Sequence, residues 1–212
     1  MPDDLNIQAR TDENIEPKPQ SSIEQKTTIP TPSKSKLKPK DTTALQMRKI
    51  SIDKVVINIG VGEAGDKLIK AEKVINLLTH QKSIQTISTT TNRDFGIRKQ
   101  MPIGVKVTLR GAKAETFLKE AFWVKDNRIT GYSFDQEGNF SFGIPDYTEF
   151  RDKKYDPEIG IFGMDISVKM TRPGFRIAKR KYHRRKIPKK IRITPKEVKE
   201  FMKKRFNIEV IE

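Results

Sequence analysis

The chain has 212 residues and carries 43 Lys and Arg against 27 Asp and Glu, a formal net charge of +16, with 34% hydrophobic residues and no cysteine. Missing cysteine excludes disulfides and thiolate metal sites. No apolar run reaches the roughly 18 residues of a membrane span, and Met1 to Leu5, with Asp3 and Asp4, is no secretory leader. The default is a cytosolic chain with room for one domain and an appendage.

Residues 1–46 hold six prolines, no aromatic residue, and seven acids against seven bases. Such a segment cannot bury enough apolar area to offset its ordering entropy, so it is predicted to be a disordered N-terminal extension. Order is expected from Met47. Ile50 to Ile59 alternates, with Val55, Ile57 and Ile59 on one face and Lys54, Val56 and Asn58 on the other, the mark of a half-buried strand. Asp66 to Thr79 repeats Leu68, Ala71, Ile75 and Leu78 at helical spacing. Ser83 to Thr90 is β-rich, Asn92 to Gly104 is a polar loop, and Val105 to Arg110 is a second alternating strand. Gly111 to Val124 is helical; Ser141 to Ile144 and Met164 to Met170 are strands flanking an acidic loop from Pro145 to Gly163. Thr194-Pro-Lys-Glu197 reads as a capping box with proline at the first helical position, opening a last helix.

The expected architecture is α+β: a mostly antiparallel sheet with helices on one face and the other face open for RNA. An α+β core spans 47–171 and a basic C-terminal extension ending in a helix spans 172–212. The open face collects Asn58, Lys106, Thr108, Arg110, Ser167 and Lys169. A water-facing sheet is the plainer reading of such polarity.

Arg172 to Arg205 holds sixteen Lys or Arg and two acids, Glu197 and Glu200. A charge run of this density is often a solvated tail. Here Phe175, Ile177, Tyr182 and Ile187 are interleaved with it, and basic groups mixed with stacking groups suit nucleic acid, where each neutralised phosphate releases counterions. Arg172, Arg176, Lys179, Arg180, Arg184 and Arg185 are the candidate contacts. Arg93, Phe95, Arg98 and Lys99 repeat the combination of cation and ring in the polar loop.

Enzymatic readings find little. Gly60-x-Gly62-x-x-Gly65 follows a strand and opens a helix, as a dinucleotide fingerprint does. No acid stands about 20 residues on to hold a ribose, so a tight turn is expected, with backbone amides that could meet an RNA phosphate. His80 is expected as a helix-end polar group. The acids Asp146, Glu149, Asp152, Asp156 and Glu158 lack the spacing of a calcium loop. No catalytic residue, metal ligand or cofactor is assigned.

Four blocks in order carry a resemblance: Val55-Val-Ile-Asn-Ile-Gly-Val-Gly-Glu63, Asn92 through Met101-Pro-Ile-Gly-Val-Lys-Val-Thr-Leu-Arg-Gly111, Gly138-Asn-Phe-Ser-Phe-Gly-Ile144 and Gly163-Met-Asp-Ile166. Together they resemble the universal fifth-protein family of the large ribosomal subunit, and the tail from Arg172-Pro-Gly-Phe resembles its archaeal and eukaryotic form, leaning archaeal. The resemblance covers about Met47 to Glu212. It implies a non-enzymatic ribosomal constituent that binds 5S rRNA through its sheet face and anchors it in the central protuberance. It also implies contacts to large-subunit rRNA and neighbouring ribosomal proteins, a loop near P-site tRNA at Arg93, Arg98 and Lys99, and an intersubunit bridge to a small-subunit protein. For that bridge the acidic loop is the candidate. The alternative is a free-standing RNA-binding regulator or chaperone. No membrane partner is expected.

Overall fold

The structure, a computed structural model, describes residues 46–151 and 153–211. The extension assigned to residues 1–46 lies, but for Gln46, outside them. Alternating apolar residues build the sheet. Strands β1 (Ser51–Gly60), β2 (Ile84–Ile87), β3 (Pro102–Leu109), β5 (Phe140–Ile144) and β6 (Met164–Thr171) form one antiparallel sheet in the order β2-β3-β1-β6-β5. Its inner face is continuous and apolar: Val55, Ile57 and Ile59 lie between Val105, Val107 and Leu109 on one side and Ile166 and Val168 on the other, all buried.

Helices α1 (Asp66–Thr79) and α2 (Ala112–Val124) cover that face, α1 packing on β3 and α2 on β1. Each buries one stripe, Leu68, Ala71, Val74, Ile75 and Leu78 in α1 and Ala114, Phe117, Leu118, Ala121 and Phe122 in α2. Burial of these stripes supplies the main driving force, about 25 cal/mol per Å² of apolar surface. Helix α3 (Pro195–Phe206) joins the same layer. Its Val198 and Met202 are buried, and Phe206 meets Phe122 edge-on at 5.4 Å. Phe122 also lies 5.5 Å from Phe142 and 6.4 Å from Phe140 of β5, so one ring joins the last helix to the sheet.

The helix bounded at Asp66 and Thr79 has the extent that its spacing predicts, and the capping box at Thr194 and Glu197 is formed. Differences are concentrated where periodicity is short. β3 begins at Pro102, inside the expected polar loop. The β-rich stretch shortens to Ile84–Ile87, and the ladder is irregular between Thr86 and Ile87. Beyond it Ser88 still bonds across to the facing segment, its N–H donating to Met101 O at 2.8 Å and its carbonyl accepting from Gln100 N at 2.9 Å, while its hydroxyl turns to Thr90 O at 2.7 Å. Two strands of three residues, β4 (Arg128–Thr130) and β7 (Glu209–Ile211), pair in parallel apart from the main sheet and have no counterpart in the sequence reading.

Candidate nucleic-acid interface

The open face of the sheet is ordered in rows by strand register. Asn58 of β1 sits opposite Lys106 of β3 and Asp165 of β6; Val56 sits opposite Thr108 and Ser167; Lys54 sits opposite Lys169. Lys106, Thr108 and Ser167 are exposed, and Asn58 and Lys169 are half-buried by their neighbours. The sheet thus brings the sequence-predicted residues Asn58, Lys106, Thr108, Ser167 and Lys169 onto one surface.

Lys54 and Lys169 are like charges directly opposed, an arrangement that is destabilising by itself. Neither has a carboxylate within 4 Å among the described residues. Lys54 was legible as a wet-face residue but not as part of the charged row, because its neighbour depends on register. The surface also contains an acid, Asp165, beside Asn58, whose alternation was visible and whose place opposite Asn58 was not.

Arg110 stands at the edge of this surface and is partly engaged. A register shift between Ile52 and Lys54 takes Asp53 out of the regular alternation. Its carboxylate accepts from Arg110 Nη1 at 3.3 Å and from Lys179 Nζ at 2.8 Å. The Lys179 hydrogen bond, with the charges of Lys179, Arg110 and Lys169, holds the Asp53 carboxyl below the usual aspartate range against the opposing effect of burial. Asp53 thereby ties the basic segment to the sheet across 126 residues of sequence.

Within the basic segment the candidate residues divide. Arg176, Arg184 and Arg185 are exposed and have no acid partner among the described residues. Arg180 is exposed but turned along its own chain, Nε and Nη2 donating to His183 O at 2.9 and 2.7 Å. Arg172 departs from the expectation of an RNA contact. Its side chain is only 9% exposed, Nη2 lies 2.7 Å from Glu197 Oε2, and Nη1 donates to Ile191 O at 3.2 Å. Burial raises the Glu197 carboxyl, but hydrogen bonds from Thr194 and Arg172 outweigh it and leave the group below the usual glutamate range. Arg172 is therefore a structural cation joining the end of β6 to the start of α3.

The polar loop is an extension of the β2–β3 ribbon. Asn92 and Ile97 exchange both backbone hydrogen bonds, at 2.8 and 2.9 Å, and Gly96 at φ 63° closes a tip of Arg93, Asp94 and Phe95. Phe95 is 73% exposed, and Arg93, Arg98 and Lys99 surround the same ribbon, all exposed.

The glycine turn after β1 is a strand-to-helix turn, with Gly62 and Gly65 at φ 79° and 119°. The N–H groups of Val61 and Gly62 both donate to Ile103 O, at 3.0 and 2.8 Å, so those two amides serve the fold and not a phosphate. His80 closes α1 in the left-handed region, its N–H donating to Asn76 O at 2.9 Å. In the acidic loop, Asp146 and Asp156 accept from the backbone N–H groups of Thr148 and Glu158 at 2.9 and 3.0 Å. Asp152 lies outside the described residues. Among the described residues no group of three or more acids or histidines is placed to hold a metal ion.

Residues 46–98 match the model of ribosomal protein L5, and residues 102–195 match that of the ribosomal L5P family C-terminus. The large ribosomal subunit protein uL5 of Thermoplasma volcanium is 54% identical over 167 residues, covering 78% of this chain and 98% of that protein. The chain belongs to the ribosomal protein L5 family. The uL5 proteins of Picrophilus torridus, 54% identical over 81% of this chain and 98% of theirs, and of Sulfurisphaera tokodaii, 48% identical over 80% and 97%, match alongside. With these archaeal relatives the chain is an L5 protein of archaeal type, a non-enzymatic structural constituent of the large ribosomal subunit. Both L5 family models together take in the whole main sheet, the glycine turn and the loop tip, and they begin at residue 46.

Proposed function

We propose that the open sheet face binds 5S rRNA and anchors it in the central protuberance of the large subunit. The observation that carries this reading is the directly opposed pair Lys54 and Lys169, neither with a carboxylate within 4 Å among the described residues, on the same open face as Lys106, which lies two rows along beside Asn58. A polyanion relieves that repulsion, and phosphate contacts position it. Asn58 and Thr108 then meet base edges or 2′-hydroxyls, the groups by which RNA is distinguished. Arg176, Arg184 and Arg185 extend the basic surface towards large-subunit rRNA. The hairpin tip at Arg93, Phe95, Arg98 and Lys99 approaches P-site tRNA, its exposed ring giving a stacking surface. Among the described residues of the Pro145–Gly163 loop, Glu149 and Glu158 are exposed acids that can meet a basic small-subunit protein.

Binding of purified 5S rRNA across a salt series tests the central claim. Lys106→Ala is expected to lower the slope of log K against log salt by about 0.7 to 0.9, one phosphate's worth. Arg110→Ala is expected to lower it less, because Asp53 already shares that guanidinium. An unchanged slope for Lys106→Ala and for Lys54→Ala would remove the sheet face from the interface.

A further inference from the structure

One concave feature adjoins the end of the sheet face, with which it shares Lys169, and lies apart from the loop tip. After β6 the chain turns back through Pro173 and Gly174 into a short 3₁₀ turn, Phe175–Ala178. Between the end of the sheet and the returning segment is a cleft of about 310 Å³, at the lower end of the range of ligand sites, roughly 300–1,000 Å³. Its lining has two chemistries. Met170, Phe175, Ile187 and Ile193 give it apolar surface; Met170 and Ile193 are buried, whereas Phe175 and Ile187 are half-buried. Lys169, Arg184 and Lys186 line it with positive charge and have no carboxylate within 4 Å among the described residues. Two further lining cations are held by acids, Lys179 by Asp53 and Arg192 at 3.2 Å by Glu137, a carboxylate that itself lines the cleft and is matched by that guanidinium. Asn139 adds a polar group: its Oδ1 accepts from Met170 N at 3.3 Å, and its amide nitrogen has no partner among the described residues.

This combination discriminates among anions. Inorganic phosphate would use the cations and leave the apolar surface wet. A duplex presents phosphates but keeps its bases stacked inside. An unstacked nucleotide offers a flat apolar ring, hydrogen-bonding edges and a phosphate on each side, which is how single-stranded RNA meets proteins. We propose that the cleft holds one nucleotide turned out of a ribosomal RNA strand. The base lies against Phe175 and Ile187 with an edge presented to the Asn139 amide, and the flanking phosphates lie on Lys169, Arg184 and Lys186. The inference rests on the RNA-binding reading above but uses a different surface from the row at Lys106 and Asn58.

The test is methyl NMR on the full chain with isoleucine labels, titrated with a single-stranded RNA hexamer of mixed sequence. The expected result is a saturable shift of the Ile187 and Ile193 methyls. The triple variant K169A/R184A/K186A should weaken that response tenfold or more at 50 mM salt. Phe175→Leu, which keeps an apolar side chain, should weaken it about fivefold or more through lost stacking. Lys106→Ala should leave it unchanged. The proposal is overturned if the hexamer leaves both methyls unmoved, or if Phe175→Leu binds as tightly as the parent chain. It is equally overturned if inorganic phosphate, a polyglutamate peptide or free adenosine 5′-monophosphate shifts them at as low a concentration as the hexamer does. A cleft that responds to the hexamer while Lys106→Ala and Lys54→Ala leave 5S rRNA binding intact would refute the sheet-face reading and leave this one standing.

Discussion

The open sheet face and the basic segment after β6 are both cationic, yet they are held in place by different forces. On the sheet, Lys54, Lys106 and Lys169 are positioned by backbone ladders whose inner side is wholly buried, and no side-chain partner is needed to set their spacing. The segment from Arg172 to Ile193 contains only short 3₁₀ turns. Three carboxylates hold it: Asp53 on Lys179, Glu137 on Arg192 and Glu197 on Arg172. A cation set by a ladder is preorganised whatever the pH or salt. A cation set by an ion pair is loosened by acid, and by salt as well where it is exposed, as Lys179 and Arg192 are.

The strongest way to break this contrast is to remove what the two regions share. Phe122→Ala deletes the ring that touches β5 and α3 together, and a loss of about 3–5 kcal/mol is expected in urea unfolding. Both regions should fail in one transition. Glu197→Ala should cost about 2 kcal/mol, since it removes half of the capping box and leaves the Arg172 guanidinium without its carboxylate. Glu197→Gln should recover the cap but not the ion pair. Its amide signals should report disturbance along 172–193 while those of β1 and β3 stay in place.

Acid gives a smaller effect of defined sign. Asp53 and Glu197 both have folded-state pKa values depressed relative to the unfolded chain. Their contribution is present above the ordinary carboxylate range, about 4, and is lost as the pH falls through that range and below it. Proteolysis or hydrogen exchange should therefore show the basic segment loosening at acid pH before the sheet does. Loosening of both together would mean that the ion pairs do not hold the segment. The smallest expected change is for Asp53→Asn, which releases Arg110 and Lys179 from a negative partner. It should steepen the salt dependence of 5S rRNA binding by less than one unit, the opposite direction to Lys106→Ala.

Legibility in the sequence followed the length of each periodic run. β1, β3 and β6 each alternate over six or more residues, and α1 repeats over four turns, so the faces of these elements could be assigned from local pattern, though not the partners of the strands. β4 and β7 have three residues each and meet only because Asn127, at φ 56°, redirects the chain and its carbonyl accepts from Glu209 N. A three-residue strand has no period to read. Site residues on the sheet were legible for the same reason as the strands. What was not legible depends on register or on distant pairs. The shift at Asp53, the opposition of Lys54 and Lys169, and the acid beside Asn58 are set by how strands align. Arg172 looked like its basic neighbours because the glutamate that turns it inward lies 25 residues on.

The dual use of Glu197 has a consequence for synthesis. One carboxylate starts the final helix and neutralises a guanidinium at the exit of the last sheet strand. A chain released before Pro195 keeps every residue of the main sheet but has no acid for Arg172, and sinking an unmatched cation at that spot is unfavourable. Such a fragment is expected to be cut at the exit of its last sheet strand under limited proteolysis sooner than the full chain.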